Sequence, residues 1–76
     1  MLQLNYFGMI AEAVNKSKEE FRWVEDLDTL RVELELNYKA LKNLNYKFAV
    51  NQTLVATNVA LKENDEIALL PPFAGG

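Results

Sequence analysis

Neither cysteine nor histidine occurs anywhere in this chain of 76 residues, and that double absence decides how it can be held together. A single core of this size supplies only about 3–5 kcal/mol, so small domains often add disulfides or a structural metal. Disulfides and the usual Cys/His zinc clip are excluded here. The fold must rest on apolar packing, for which a hydrophobic content of 50% is ample. One domain is all the length allows. The same absence removes thiolate nucleophiles, imidazole acid–base chemistry and any Ser–His–Asp arrangement. The single serine, Ser17, lies in a charged stretch that reads as a turn. Whatever reaction this chain enters, it brings no side-chain catalytic set of its own.

A net charge of −3 without a basic stripe argues against nucleic acid as a partner. The acids gather between Glu19 and Glu35, with only Arg22 and Arg31 among them. Such a run reads as a solvated face or as a docking surface for a basic partner. The amino terminus has neither a basic start nor an apolar run of signal-peptide length. The longest uncharged stretch, Phe48 to Leu61, is short and broken by Asn51, Gln52, Thr53, Thr57 and Asn58. No membrane association and a cytoplasmic setting are therefore expected.

Leu2-Gln3-Leu4-Asn5-Tyr6 alternates apolar and polar, which predicts a half-buried strand. Gly8 punctuates, Met9 to Val14 has helix formers for two turns, and Asn15 to Lys18 reads as a turn. Phe21 and Trp23 flank Arg22 in a second alternating strand over about Glu19 to Val24. Leu30, Leu34, Tyr38 and Leu41 fall at helical spacing, yet Leu30, Val32, Leu34 and Leu36 also alternate. Helix-forming Arg, Glu and Leu and a capping candidate at Asp28 or Thr29 favour a helix ending near Asn37. Tyr46 to Val50 alternates again, Asn51-Gln52 can turn the chain, and Thr53 to Val55 fits a short strand. Lys62 to Asp65 forms a polar turn with Asn64 suited to a left-handed conformation. Glu66 to Leu70 is the last strand, stopped by Pro71-Pro72. This order predicts an α+β fold, a mixed sheet with a helix packed on one face. The first and last strands lie side by side in it, joined by a long crossover, which is a β-grasp layout.

Parity places Leu2, Leu4 and Tyr6 on one face, so Phe7 points outward with Gln3 and Asn5. Ile67 and Leu69 share the core face of the last strand, which turns Ala68 and Leu70 outward. Phe7 and Leu70 then share the open side of the sheet, and in the irregular stretch of Leu54 and Val55 one of the two is expected to be exposed as well. Converging apolar residues on an exposed face mark an interaction surface. Beyond the strand, Pro71-Pro72-Phe73-Ala74-Gly75-Gly76 reads as an extended tail, with a domain over 1–70 and the tail over 71–76. Two prolines favour an extended exit, and six residues can reach about 20 Å. Ala74, Gly75 and Gly76 have almost no side chain and suit a narrow channel. A bare Gly-Gly end can also be frayed or artificial, but behind a stiff Pro-Pro exit it suits activation of the terminal carboxylate.

The residues Ala49 to Val55, Leu61 to Pro72, and the Gly75-Gly76 end resemble the small subunit of molybdopterin synthase. These MoaD-like sulfur carriers belong to the ubiquitin-like β-grasp proteins, and weaker likeness runs through Leu4 to Gly8 and Tyr38 to Leu41. Where the family turn commonly reads Asp-Gly-Asp, this chain has Glu63-Asn64-Asp65, and Phe73 replaces a smaller aliphatic residue. The resemblance implies that an adenylating, ubiquitin-activating-like enzyme uses ATP on Gly76, and that a sulfur donor protein then converts it to a thiocarboxylate. The tail residues Pro71, Pro72, Phe73, Ala74 and Gly75 would carry this group into the channel of the molybdopterin synthase large subunit. There it would donate sulfur to a cyclic pterin precursor in molybdenum cofactor biosynthesis. It further implies a partner-docking surface of Phe7, Leu54 and Leu70, a heterotetramer, no metal and no cofactor bound by this chain, and catalysis left to the partners. A thiamin-pathway sulfur carrier and a ubiquitin-like protein modifier are the alternative readings of the same tail.

Overall fold

The computed structural model describes residues 1–72. Strand β1 (Leu2–Tyr6) leads through Gly8 into helix α1 (Gly8–Val14), which Asn15 ends in a left-handed conformation. Strand β2 (Lys18–Phe21) returns beside β1. Helix α2 (Leu27–Asn37) and a 3₁₀ turn (Lys39–Asn43) cross to β3 (Lys47–Val50), which pairs with β4 (Thr53–Val55). Strand β5 (Glu66–Leu70) closes the described chain. The sheet order is β2-β1-β5-β3-β4, parallel only between β1 and β5. The expected β-grasp layout, with the chain's first and last strands adjacent, is thus present.

Strands β1 and β5 bury the face that their alternation assigns inward. Leu2, Leu4, Tyr6, Ile67 and Leu69 meet Ile10, Val14, Leu27, Leu30, Leu34 and Leu41 in one core, so every helix lies on the same side of the sheet. Val32 and Leu36, the other members of the ambiguous alternation, are 59% and 64% exposed. Only helical geometry separates Leu30 and Leu34 from them in this way.

Two local readings need correction. Helix α2 is capped neither by Asp28 nor by Thr29: Asp26 accepts a 2.9 Å hydrogen bond from the Thr29 amide, and the helix starts at Leu27. The second strand ends at Phe21 instead of Val24, because its partner β1 begins at Leu2, opposite Phe21. Beyond that point the chain finds another partner. Trp23 Nε1 donates to the Leu61 carbonyl, the Leu61 amide donates to Glu25, and the Leu27 amide donates to Val59. Trp23 therefore faces solvent while Phe21 is buried. As expected, α2 ends at Asn37, and Leu41 reaches the core from the 3₁₀ turn that follows.

The turns follow their predicted chemistry. Asn51 (φ 49°) and Gln52 (φ 70°) make a two-residue hairpin with both residues left-handed, the twist that flanking strands favour. Asn64 adopts φ 72°. Asn51 also ties this hairpin to the turn before β5, donating to Asp65 (3.0 Å) and accepting from the Glu66 amide (3.0 Å). The Lys62 amide and then Asn51 hold the Asp65 carboxyl below the usual carboxylate range. Thr29, followed by Asn58, does the same for Asp26.

Replacing Leu34 by Ala should cost about 2–5 kcal/mol in urea unfolding, whereas Leu36→Ala should stay within about 0.5 kcal/mol. Equal losses would mean that the helix face is wrong. Because the folded carboxyls of Asp26 and Asp65 are lowered, their contribution is present above the ordinary Asp value of about 3.9 and lost as pH falls through the folded values. The urea midpoint should thus drop on acidification, and less steeply in Asp65→Asn and Asp26→Asn than in the parent chain.

Candidate functional site

The helices cover one face of the sheet, and no described element covers the other. Register builds a row across this open face: Lys18 beside Asn5, Asn5 beside Ala68, Ala68 beside Ala49, Ala49 beside Leu54. A neighbouring row pairs Leu70 with Lys47. Phe7 follows the last β1–β5 pair, Tyr6 with Leu69, and its amide donates to the Leu69 carbonyl at 3.2 Å. Phe7 and Leu70 are therefore neighbours at the end of the sheet where β5 finishes.

Phe7 is 48% exposed and Leu54 52% exposed, while Leu70 is half-buried. The choice between Leu54 and Val55 falls on Leu54, for Val55 packs against the core. Leu54 does not touch the other two through strand pairing; Ala49 and Ala68 lie between. Their short side chains keep the ground between the larger residues low, and a concavity of about 230 Å³ opens there, lined by Asn5, Phe7, Ala49, Gln52, Glu66 and Ala68. Sequence reasoning turned Ala68 outward but gave neither alanine a role. Strand register is the signal that reveals them.

Polarity is graded along the face. Gln3, Glu20 and Glu66 occupy the end near the β5 start, where Gln3 Nε2 donates to Glu20 at 3.2 Å. Phe7 and Leu70 occupy the opposite end, beside Lys47, with Leu54 in the middle row. The chain thus leaves the sheet, at half-buried Pro71 and exposed Pro72, directly from the apolar end. Phe73, Ala74, Gly75 and Gly76, assigned to the tail and its reactive terminus, lie outside the described residues.

Tyr6 donates to Glu19 (2.7 Å) and Tyr46 to Glu35 (2.6 Å), and burial first, then these carboxylates, push both phenols up. They remain protonated donors, Tyr6 tying β1 to β2 and Tyr46 tying the entry of β3 to α2. Tyr38 shares Glu19 with Tyr6, at 2.8 Å. Among the described residues no three acidic, His or Cys side chains are placed to hold a metal ion, and no helix is long and apolar enough to cross a membrane.

The strand order, the one-sided helical layer and the exit of β5 beside an open apolar face define a ubiquitin-like β-grasp domain. The sequence pattern of the ThiS family matches residues 4–76, and the chain belongs to that family. It is 31% identical, over the full length of both chains, to the molybdopterin synthase sulfur carrier subunit of Mycobacterium tuberculosis. A solved protein–protein complex of subunits 1 and 2 of molybdopterin-converting factor from Helicobacter pylori contains a chain 29% identical to it. That match has a TM-score of 0.71 and covers 99% of this chain and 97% of the other. The small archaeal modifier protein 1 of Methanosarcina acetivorans shares the fold at a TM-score of 0.84 and 21% identity, covering 99% and 95%. The resemblance read from the carboxy-terminal motifs is therefore to the right family.

Leu54→Lys and Phe7→Lys should leave thermal stability nearly unchanged, within the small range of surface substitutions, whereas Leu70→Lys should lower it measurably. A large loss for Leu54→Lys in calorimetry would place that side chain in the core instead.

Proposed function

We propose that this chain is the sulfur-carrier subunit of a cytoplasmic molybdopterin synthase and works through its terminal carboxylate. The observation that carries the reading is end-to-end identity of 31% with a molybdopterin synthase sulfur carrier subunit. The apolar end of the open face, contiguous with the exit of β5, supports it. On this reading residues 1–70 are the handle and 71–76 the arm. Partners grip Phe7, Leu54 and Leu70, and Pro71 to Gly75 thread a channel toward the partner's active centre.

The chemistry is confined to Gly76. A carboxylate oxygen attacks the α-phosphorus of ATP in the activating enzyme, pyrophosphate leaves, and an acyl adenylate remains. A sulfide-level nucleophile from the sulfur donor displaces AMP and leaves a thiocarboxylate. That group passes its sulfur to a pterin precursor in the large subunit, and water restores the carboxylate. Neither ATP nor pterin needs a site on this chain, because both partners bring their own. The solved Helicobacter pylori complex of subunits 1 and 2 supports the pairing with a large subunit, and we propose two carriers on a dimer of that subunit.

Intact-mass analysis of the chain from cells making the cofactor should show an oxygen-for-sulfur exchange at the terminus. Deleting Gly76, or adding one residue after it, should abolish cofactor synthesis with the melting curve unchanged. Leu54→Lys should weaken binding to the large subunit at least tenfold, which is about 1.4 kcal/mol. Recovery of Gly76 only in isopeptide bonds to protein lysines would replace the carrier reading with that of a modifier. Sulfur delivery that supports thiamin but not molybdopterin would move it to the thiamin pathway.

A further inference from the structure

Gly8 is the one glycine outside the chain's last two residues. Its φ of +56° is the first explanation to offer for it, since side-chain-bearing residues enter that region at a cost. That explanation is insufficient in this sequence. Asn15, Asn51, Gln52 and Asn64 adopt φ of 62°, 49°, 70° and 72° with side chains attached. Positive φ is managed four times without glycine, so position 8 carries a second demand.

The second demand is space. A Cβ at Gly8 would stand 3.2 Å from Cγ of Pro71 and 3.8 Å from its Cδ. The nearer distance is tighter than ordinary carbon–carbon contact of about 3.5–4.0 Å. Pro71 is the first residue beyond β5, and its ring lies over the bare backbone of the β1–α1 turn. The residue before Gly8 is Phe7, whose amide makes the 3.2 Å bond to Leu69 at the end of the β1–β5 pairing. One turn thus presents the exposed aromatic of the open face and seats the first tail proline.

We infer that Gly8 is a positioning residue for the carboxy-terminal arm, setting through Pro71 the direction in which the chain leaves the sheet. The inference rests on the carrier reading, because direction matters only if the terminus must reach a partner's active centre. Proline transmits the setting well, since its ring fixes φ. From Pro71 to Gly76 an extended chain spans on the order of 16 Å, so a small tilt at the seat becomes a large displacement at the carboxylate. Misplacement of a reacting group by about 1 Å can cost on the order of 10²-fold in rate.

The test uses the full chain with its ATP-dependent activating enzyme, read by pyrophosphate exchange, in Gly8→Ala, Gly8→Asn, Pro71→Ala and the Gly8→Ala/Pro71→Ala pair. Gly8→Ala should lower kcat about tenfold or more while KM, reporting the docking face, moves less than about twofold. Gly8→Asn should be no better, although Asn tolerates the left-handed backbone. Pro71→Ala in the Gly8→Ala background should raise kcat above that of Gly8→Ala alone, because the ring that met the new Cβ is gone. Parent-like kcat in Gly8→Ala or in Gly8→Asn, strictly additive penalties at positions 8 and 71, or an effect confined to KM would each overturn the assignment. If Gly8→Ala fails to fold, Gly8→Asn and its pairing with Pro71→Ala decide the matter by the same criteria. A parent chain that is never adenylated would defeat the carrier reading itself, which is a separate outcome.

Discussion

The parallel pairing of β1 with β5 is the contact on which the rest of the molecule leans. Gln3, Leu4, Asn5 and Tyr6 stand beside Glu66, Ile67, Ala68 and Leu69, bringing the first strand and the last together in mid-sheet. Parallel neighbours cannot be joined by a tight turn, so the crossover must be long. Here it contains both helices, the 3₁₀ turn and the other three strands. Everything that fills the core therefore hangs between two strands whose own contact closes the structure. The consequence for function is spatial: the last strand is central, buried through Ile67 and Leu69, and its exit falls beside Phe7 and Gly8. A tail launched from an edge strand would inherit that strand's fraying; this one leaves from the best-held strand in the sheet.

How much of this was legible in the sequence depended on whether a signal was local. β5 was bounded correctly, because Asn64 turns the chain before it and Pro71-Pro72 stops it after. The hairpin at Asn51-Gln52 followed from the same kind of local chemistry. Parity alone put Phe7 and Leu70 on the open face, and β-pairing placed them together. The segment after Phe21 was misread because its partner, Val59 to Leu61, lies far along the chain and has no pattern of its own. Alternation of Phe21 and Trp23 promised a longer strand than β1 could pair. The cap was misplaced because Asp26, Asp28 and Thr29 are all acceptable capping residues. Leu27, buried in the first helical turn, decides among them only once tertiary packing is known.

The open face poses a problem that the edges of the sheet solve. Exposed Phe7 and Leu54 on a flat β-surface invite pairing with another copy, and unpaired strand edges are the usual route to such association. Both edge strands here are short: β2 has four residues and β4 three. β2 carries Lys18, Glu19 and Glu20 in sequence, which makes it a poor template for a neutral strand. The chain's net negative charge of −3 adds mutual repulsion between copies. Face-on contact is left available while edge-on contact is discouraged.

That division fits the proposed carrier better than a permanently paired subunit. A chain that must be gripped first by an activating enzyme and then by a synthase cannot bury its apolar face in a second copy of itself. It also cannot enlarge that face without losing solubility between partners. Phe7, Leu54 and half-buried Leu70, spaced by Ala49 and Ala68, keep the patch small and shallow. Affinity from such a patch comes from a few anchors rather than from area. In the proposed carrier, Phe7 and Leu70 stand next to the exit of β5, so that gripping the face and aiming the terminus would be one event. The bare backbone of Gly8 against Pro71 is where the two would be joined.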